Sequence, residues 1–140
     1  MKNLLVILVL FLLGCKSNKF ALESTSIFTF KEVFFTETPA AIQEGNSFAT
    51  VTLEFQNFDG LKNIELIGIY FKEKYALLKA KNKVTYQASI ILPKEKEEIK
   101  EKIPFEIQSN EIIISYKESG KQKYLLKIIQ RKDSFDNVPR

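Results

Sequence analysis

The 140-residue chain has no histidine, no tryptophan and a single cysteine. Without histidine, nucleophilic relays of the Ser-His or Cys-His type are excluded, and the usual acid/base group near neutral pH is missing. One cysteine forms no internal disulfide, and with no imidazole a zinc-type site loses its two best ligands. Five glycines leave little from which to build a phosphate-cradling loop. Asp59, Asp133 and Asp136 are the only aspartates, and Arg131 and Arg140 the only arginines. The arginine-rich stripe of a nucleic-acid binder is therefore absent, and no nucleic-acid partner is expected.

Two-carboxylate hydrolysis needs a pair of acids facing each other across a cleft. Asp59 is explained by a turn with Gly60, and Asp133 and Asp136 fall in a polar tail. Glu54, Glu65 and Glu106 lie in predicted strands, where alternation points Glu54 outward, opposite Val51, Leu53 and Phe55. The chain therefore reads as non-enzymatic, with no metal and no cofactor; a glutamate-based hydrolase is the remote alternative.

What is present begins at the amino end. Lys2 precedes an unbroken apolar run, Leu4 to Leu13, followed by Gly14-Cys15-Lys16-Ser17-Asn18-Lys19, the three-part layout of an export signal. Ten apolar residues are about half of the ~20 needed for a permanent membrane helix. Leu12-Leu13-Gly14-Cys15 resembles the bacterial lipobox, in which a leucine three before the cysteine and a small residue just before it direct lipidation. Leu13 departs from the pattern, which prefers a small residue there. The resemblance implies a signal peptide over 1–14 and a lipidated (palmitate-class) Cys15 that anchors the chain to membrane; a differently cleaved signal with a free thiol is the alternative.

Cleavage before Cys15 leaves 126 residues, with 20 basic side chains against 17 acidic ones once Lys2 is gone. That length suits one domain burying roughly two-thirds of its unfolded surface. Residues 15–24 read as a lipidated tether, 25–132 as the domain and 133–140 as a flexible tail. From Ile27 the pattern is β: Ala49 to Gln56 and Val84 to Ile90 alternate apolar and polar. Further strands are predicted over 27–35, 64–71, 75–80, 105–107, 111–116 and 123–131. Turn chemistry separates them at Glu44-Gly45-Asn46, Asp59-Gly60, Lys72-Glu73-Lys74 and Glu118-Ser119-Gly120. About eight strands without a long helix predict an all-β, antiparallel, immunoglobulin-like β-sandwich. The charged segment Lys94 to Lys102 reads as a solvated loop.

Several strands are apolar on both parities: Phe34-Phe35, Ile90-Ile91-Leu92, Ile112-Ile113-Ile114, Leu125-Leu126 and Ile128-Ile129. Bulges, or loops and the amino-terminal segment covering a second face, account for this; near Leu66-Ile67 the parity changes as a bulge would change it. The functional alternative is an exposed patch including Ile113, Leu125 and Ile129. The five tyrosines, Tyr70, Tyr75, Tyr86, Tyr116 and Tyr124, are read as cross-strand packing or as ligand-facing rings.

Ile64 to Lys72, Thr85-Tyr86 and Asn110 to Tyr124 resemble phrases in small uncharacterised lipoproteins of Bacteroidetes-type bacteria, over most of residues 27–131. The resemblance implies a closing hairpin and no particular activity. In place of a glycine-rich stretch after the first strand, this chain has Thr38 to Gly45. Lys16 to Lys19 lack both the aspartate resembling an inner-membrane retention signal and the acidic run associated with surface export. The expectation is a lipid-anchored, non-catalytic protein on the periplasmic face of the outer membrane that contacts an envelope protein partner. A small-ligand or glycan-binding lipoprotein is the rival expectation.

Overall fold

The computed structural model describes residues 19–42, 45–58, 62–92 and 102–133. Cys15, the signal segment, the Asp59-Gly60 turn and nearly all of the charged 94–102 segment lie outside them. Where side chains alternate, strands form: β1 (Phe30–Thr38), β2 (Phe48–Phe55), β3 (Ile64–Phe71), β4 (Lys74–Leu77), β5 (Lys79–Ala80), β6 (Thr85–Ile91), β7 (Glu111–Glu118), β8 (Lys121–Ile128) and β9 (Gln130–Arg131). They make a five-stranded sheet, ordered β5-β6-β2-β1-β9, and a four-stranded sheet, ordered β4-β3-β7-β8. All pairs are antiparallel except β1 with β9.

This order is the immunoglobulin arrangement. The A-B-E-D sheet corresponds to β1-β2-β6-β5, and C′-C-F-G to β4-β3-β7-β8. The inward sides of β2 (Ala49, Val51, Leu53, Phe55) and β7 (Ile112, Ile114, Tyr116) supply much of the core, with Phe35, Ile69, Phe71, Ala88, Ile90 and Leu125. Burying each large apolar side chain contributes about 1.5–3 kcal/mol. At one end Phe55 lies within an aromatic cluster: Phe28, Phe30 and Phe58 surround it at centroid distances of 5.5, 5.0 and 5.0 Å. Tyr116 meets Phe28 edge-on at 4.9 Å.

Two irregularities keep the apolar side chains inward. The register of β3 against β7 shifts between Leu66 and Gly68, so Ile67 is the extra residue of a bulge. Ile64 and Leu66 before it, and Ile69 and Phe71 after it, thereby reach the same core. A second shift lies between Phe30 and Glu32 of β1.

Four expectations are corrected. The predicted strand 75–80 is two strands in different sheets, with Leu78 as the crossing residue; its amide donates to the Ile67 carbonyl at 3.0 Å. The predicted strand 123–131 likewise divides at Ile129, whose amide donates to the Asn110 carbonyl at 2.8 Å. Residues 105–107 form no strand. The first strand starts at Phe30 rather than Ile27, because Ser26 turns the chain: its hydroxyl accepts from the Phe28 amide at 3.1 Å.

Two of the hairpins close with two-residue turns whose central residues all have positive φ, as type I′ turns require. In the β7–β8 hairpin these are Ser119 (50°) and Gly120 (78°); in β3–β4 they are Lys72 (47°) and Glu73 (60°). The Lys72 ammonium lies 5.5 Å from the ring centroids of both Phe35 and Phe71 and 3.5 Å from the Glu37 carboxylate, so the turn also ties the two sheets together. Glu73 is exposed and holds a left-handed conformation that favours glycine over a residue with a side chain. Glu73→Gly is expected to raise stability by about 0.5–1 kcal/mol, the relieved left-handed strain less the added unfolded-state entropy. An increased urea midpoint at unchanged slope checks this.

Candidate functional site: the aromatic face of the four-stranded sheet

The outward side of the five-stranded sheet is largely polar. Thr50 and Ser89 hydroxyls meet at 3.0 Å, and Gln87 donates to Thr52 at 3.1 Å. Glu32 and Glu54 stand opposite each other across β1 and β2, a repulsive pairing unless neutralised. Each has its own lysine: Lys132 for Glu32 and Lys31, at 3.0 Å, for Glu54.

The outward side of the four-stranded sheet is different. In register across it run Tyr75, Tyr70, Ile113 and Leu126, then Leu77, Gly68, Ser115 and Tyr124. Phe105, carried by the segment before β7, packs on Tyr70 at 5.0 Å and Tyr124 at 5.1 Å. Phe20 packs on Phe105 at 5.8 Å and Tyr124 at 5.7 Å, and the Glu23 amide donates to the Tyr124 carbonyl at 2.8 Å. Tyr70 and Tyr75 meet at 4.8 Å. A continuous run of rings thus crosses the sheet from β8 to β4. Below it Ser115 is fully buried and accepts a hydrogen bond from Gln122 at 3.1 Å.

The proposed patch of Ile113, Leu125 and Ile129 does not exist as an exposed surface, since these residues are only 1%, 6% and 3% exposed. Leu125 and Ile129 point into the core between the sheets, whereas Ile113 faces outward beneath the aromatic cover. The exposed apolar side chains of this face are instead at its margins: Leu22, Tyr75, Leu77, Leu126 and Ile128. The expected tether is also shorter than residues 15–24, because Phe20 and Glu23 are already bound to the domain. Phe20 lies in a polar stretch without periodicity, and Phe105 reads in the sequence as the start of a strand over 105–107 rather than as a ring laid on the sheet. The available signals were a lone large ring in a polar tether and a phenylalanine directly after Pro104.

Of the tyrosines, Tyr70, Tyr75 and Tyr124 belong to the outer cluster, while Tyr86 and Tyr116 face the core. The Tyr116 hydroxyl meets no hydrogen-bond partner among the described residues. The concavities among the described residues include two that flank the sandwich. One, about 590 Å³, lies along the β4–β5–β6 edge beside Tyr75, Leu77, Lys79 and Gln87; the other, about 410 Å³, lies beside Glu37, Pro39, Leu92 and Arg131. Neither has more than one aromatic ring on its wall, so neither favours the glycan-binding reading. Among the described residues, no group of three His, Cys, Asp or Glu side chains is placed to hold a metal ion. No helix among them is long and apolar enough to cross a membrane.

With this geometry in view, comparison with known proteins gives no family model, no curated protein and no solved structure that matches the chain.

Two outcomes follow from the packing. A Cβ on Gly68 would stand 2.5 Å from the Tyr75 hydroxyl oxygen and 2.6 Å from the Ala76 carbonyl oxygen. Gly68→Ala is therefore expected to destabilise the fold by about 1–3 kcal/mol. Adding Tyr75→Ala restores only part of this in urea unfolding, because the carbonyl clash remains.

Burial raises the ionisation of Tyr70, Tyr75, Tyr116 and Tyr124 above the ordinary 10.0; neighbouring tyrosines add to this for Tyr70 and Tyr75. For Tyr116, Glu23 and Glu118 add to the rise and Lys123 opposes it. In the unfolded chain these phenols lose their protons first, so the folded state binds more protons above that value. Their stabilisation is complete below pH 10 and is lost as pH rises through the raised folded values. Urea midpoints measured from pH 8 upward are expected to stay level and then fall above about pH 10, less steeply in Tyr116→Phe.

Proposed function

We propose that the protein is a lipid-anchored, non-catalytic lipoprotein of the cell envelope that acts by contacting another envelope protein. The support for the anchor is chemical: Leu12-Leu13-Gly14-Cys15 ends the apolar run, and Cys15 is the chain's only thiol. A lipobox cysteine carries three acyl chains, more than the two membrane signals stable attachment requires. The proposed placement is the periplasmic face of the outer membrane, on the composition of Lys16 to Lys19, and the kinship proposed is with small lipoproteins of Bacteroidetes-type bacteria.

The single observation that carries the contact reading is on the five-stranded sheet. Its outward side is polar along Thr50, Thr52, Gln87 and Ser89, yet the next pair in register, Phe48 and Ile91, is 40% and 47% exposed. An apolar cross-strand pair rimmed by polar side chains is the surface a protein partner covers.

Cys15→Ser is expected to abolish palmitate incorporation and move the protein from the membrane to the soluble fraction, as radiolabelling and fractionation will show. A photo-crosslinking side chain at position 48 is expected to give discrete adducts heavier than the monomer in intact cells. Unchanged attachment of Cys15→Ser removes the anchor; recovery of monomer alone removes the partner.

A further inference from the structure

The aromatic face lies at the start of the tether, and this fixes which side of the domain meets the lipid. Between Cys15 and Phe20 there are four residues and so five Cα-to-Cα steps, a reach of at most roughly 18 Å fully extended. Phe20 is seated on Phe105 and Tyr124 at the β8 side of the four-stranded sheet. The opposite outer face is a full sandwich thickness away, ~10 Å between sheets plus the side chains on both outer surfaces. To set that face on the membrane, the tether would have to be drawn taut round an edge.

We propose that the outward face of the four-stranded sheet rests on the membrane surface into which the lipid of Cys15 inserts, an inference that depends on the lipoprotein reading above. The composition of the face suits a lipid interface. Tyrosine and phenylalanine rings, with apolar bodies and, for tyrosine, a polar tip, occupy its centre. Leu22, Leu77, Leu126 and Ile128 stand at its margins, exposed by 45%, 61%, 38% and 64%. The tether approaching it carries Lys16 and Lys19 and no acid before Glu23, which suits anionic headgroups. Lys19 itself lies 5.8 Å from the Phe20 ring centroid, at the edge of the cluster.

The chain contains no tryptophan, so single-tryptophan variants report one position each. Leu126→Trp and Leu77→Trp mark the proposed face; Thr50→Trp marks the opposite sheet. The full-length mature, lipidated protein is reconstituted in phosphatidylethanolamine–phosphatidylglycerol vesicles with or without brominated acyl chains, and acylation of Cys15 is read separately by mass spectrometry. The expected result is that Leu126→Trp and Leu77→Trp lose about half or more of their emission to brominated lipid, as shallow interfacial burial predicts, while Thr50→Trp is unchanged. Equal behaviour of all three, with Cys15 acylated, overturns the orientation and leaves the lipoprotein reading standing. If the two face positions are shielded from both brominated lipid and aqueous iodide, a protein covers the face and the inference fails. An unacylated Cys15 removes the lipoprotein reading, and the inference with it.

Discussion

Strand β7 is buried on both of its faces, and the rest of the structure answers to that. Ile112, Ile113, Ile114, Ser115 and Tyr116 are all at most 1% exposed, five consecutive residues on alternating sides of one strand. In an open antiparallel sandwich one side of each strand meets water. Here the inner side is covered by the opposing sheet, and the outer side requires a second layer. Phe105 and Phe20 supply it with Tyr70, Tyr75 and Tyr124, and Gly68 keeps the floor low enough for the Tyr75 ring to lie over it. The amino-terminal segment is thus part of the fold and not merely a lead-in to it.

The immunoglobulin order is reached without the covalent and indole features that often accompany it. No disulfide links the sheets, since the chain has a single cysteine, and the space between them is filled largely by branched aliphatics and phenylalanine. Such a core depends on shape, since apolar contacts have no direction of their own. Direction comes from the two bulges, which set the parity of β1 and β3, and from the two-residue hairpins. The hydroxyl of Tyr116, buried without a partner among the described residues, marks where this packing was filled at a polar atom's expense.

Much of the fold was legible in the residues. Ile64 to Phe71 matches the predicted strand at both ends, and the bulge at Ile67 could be read from the change of parity there. The alternation over 49–56 and 84–90 located β2 and β6 within a residue or two, because one side of each faces water. Where both sides are covered, alternation carries no information on direction. That is why Ile113 was placed outside, Leu125 and Ile129 were assigned to the same surface, and the cover itself went unseen. The divided strands escaped for a related reason: a continuous β pattern through Leu78 or Ile129 does not show that the chain has changed sheets. The anchor at Cys15 was read from a motif alone.

Those two crossings have a consequence for how many copies can share a crowded surface. By passing from one sheet to the other at Leu78 and Ile129, the chain leaves the five-stranded sheet bordered by β5 and β9, each only two residues long. On the other sheet, β4 has four residues, and the eight-residue β8 is partly occupied by the bridge from Leu22 to Tyr124. Unpaired edges are templates for strand addition between molecules, and short or occupied edges offer little to copy. Packing at high density in two dimensions, the condition lipidation would impose, is where such protection against fibrous self-association matters most.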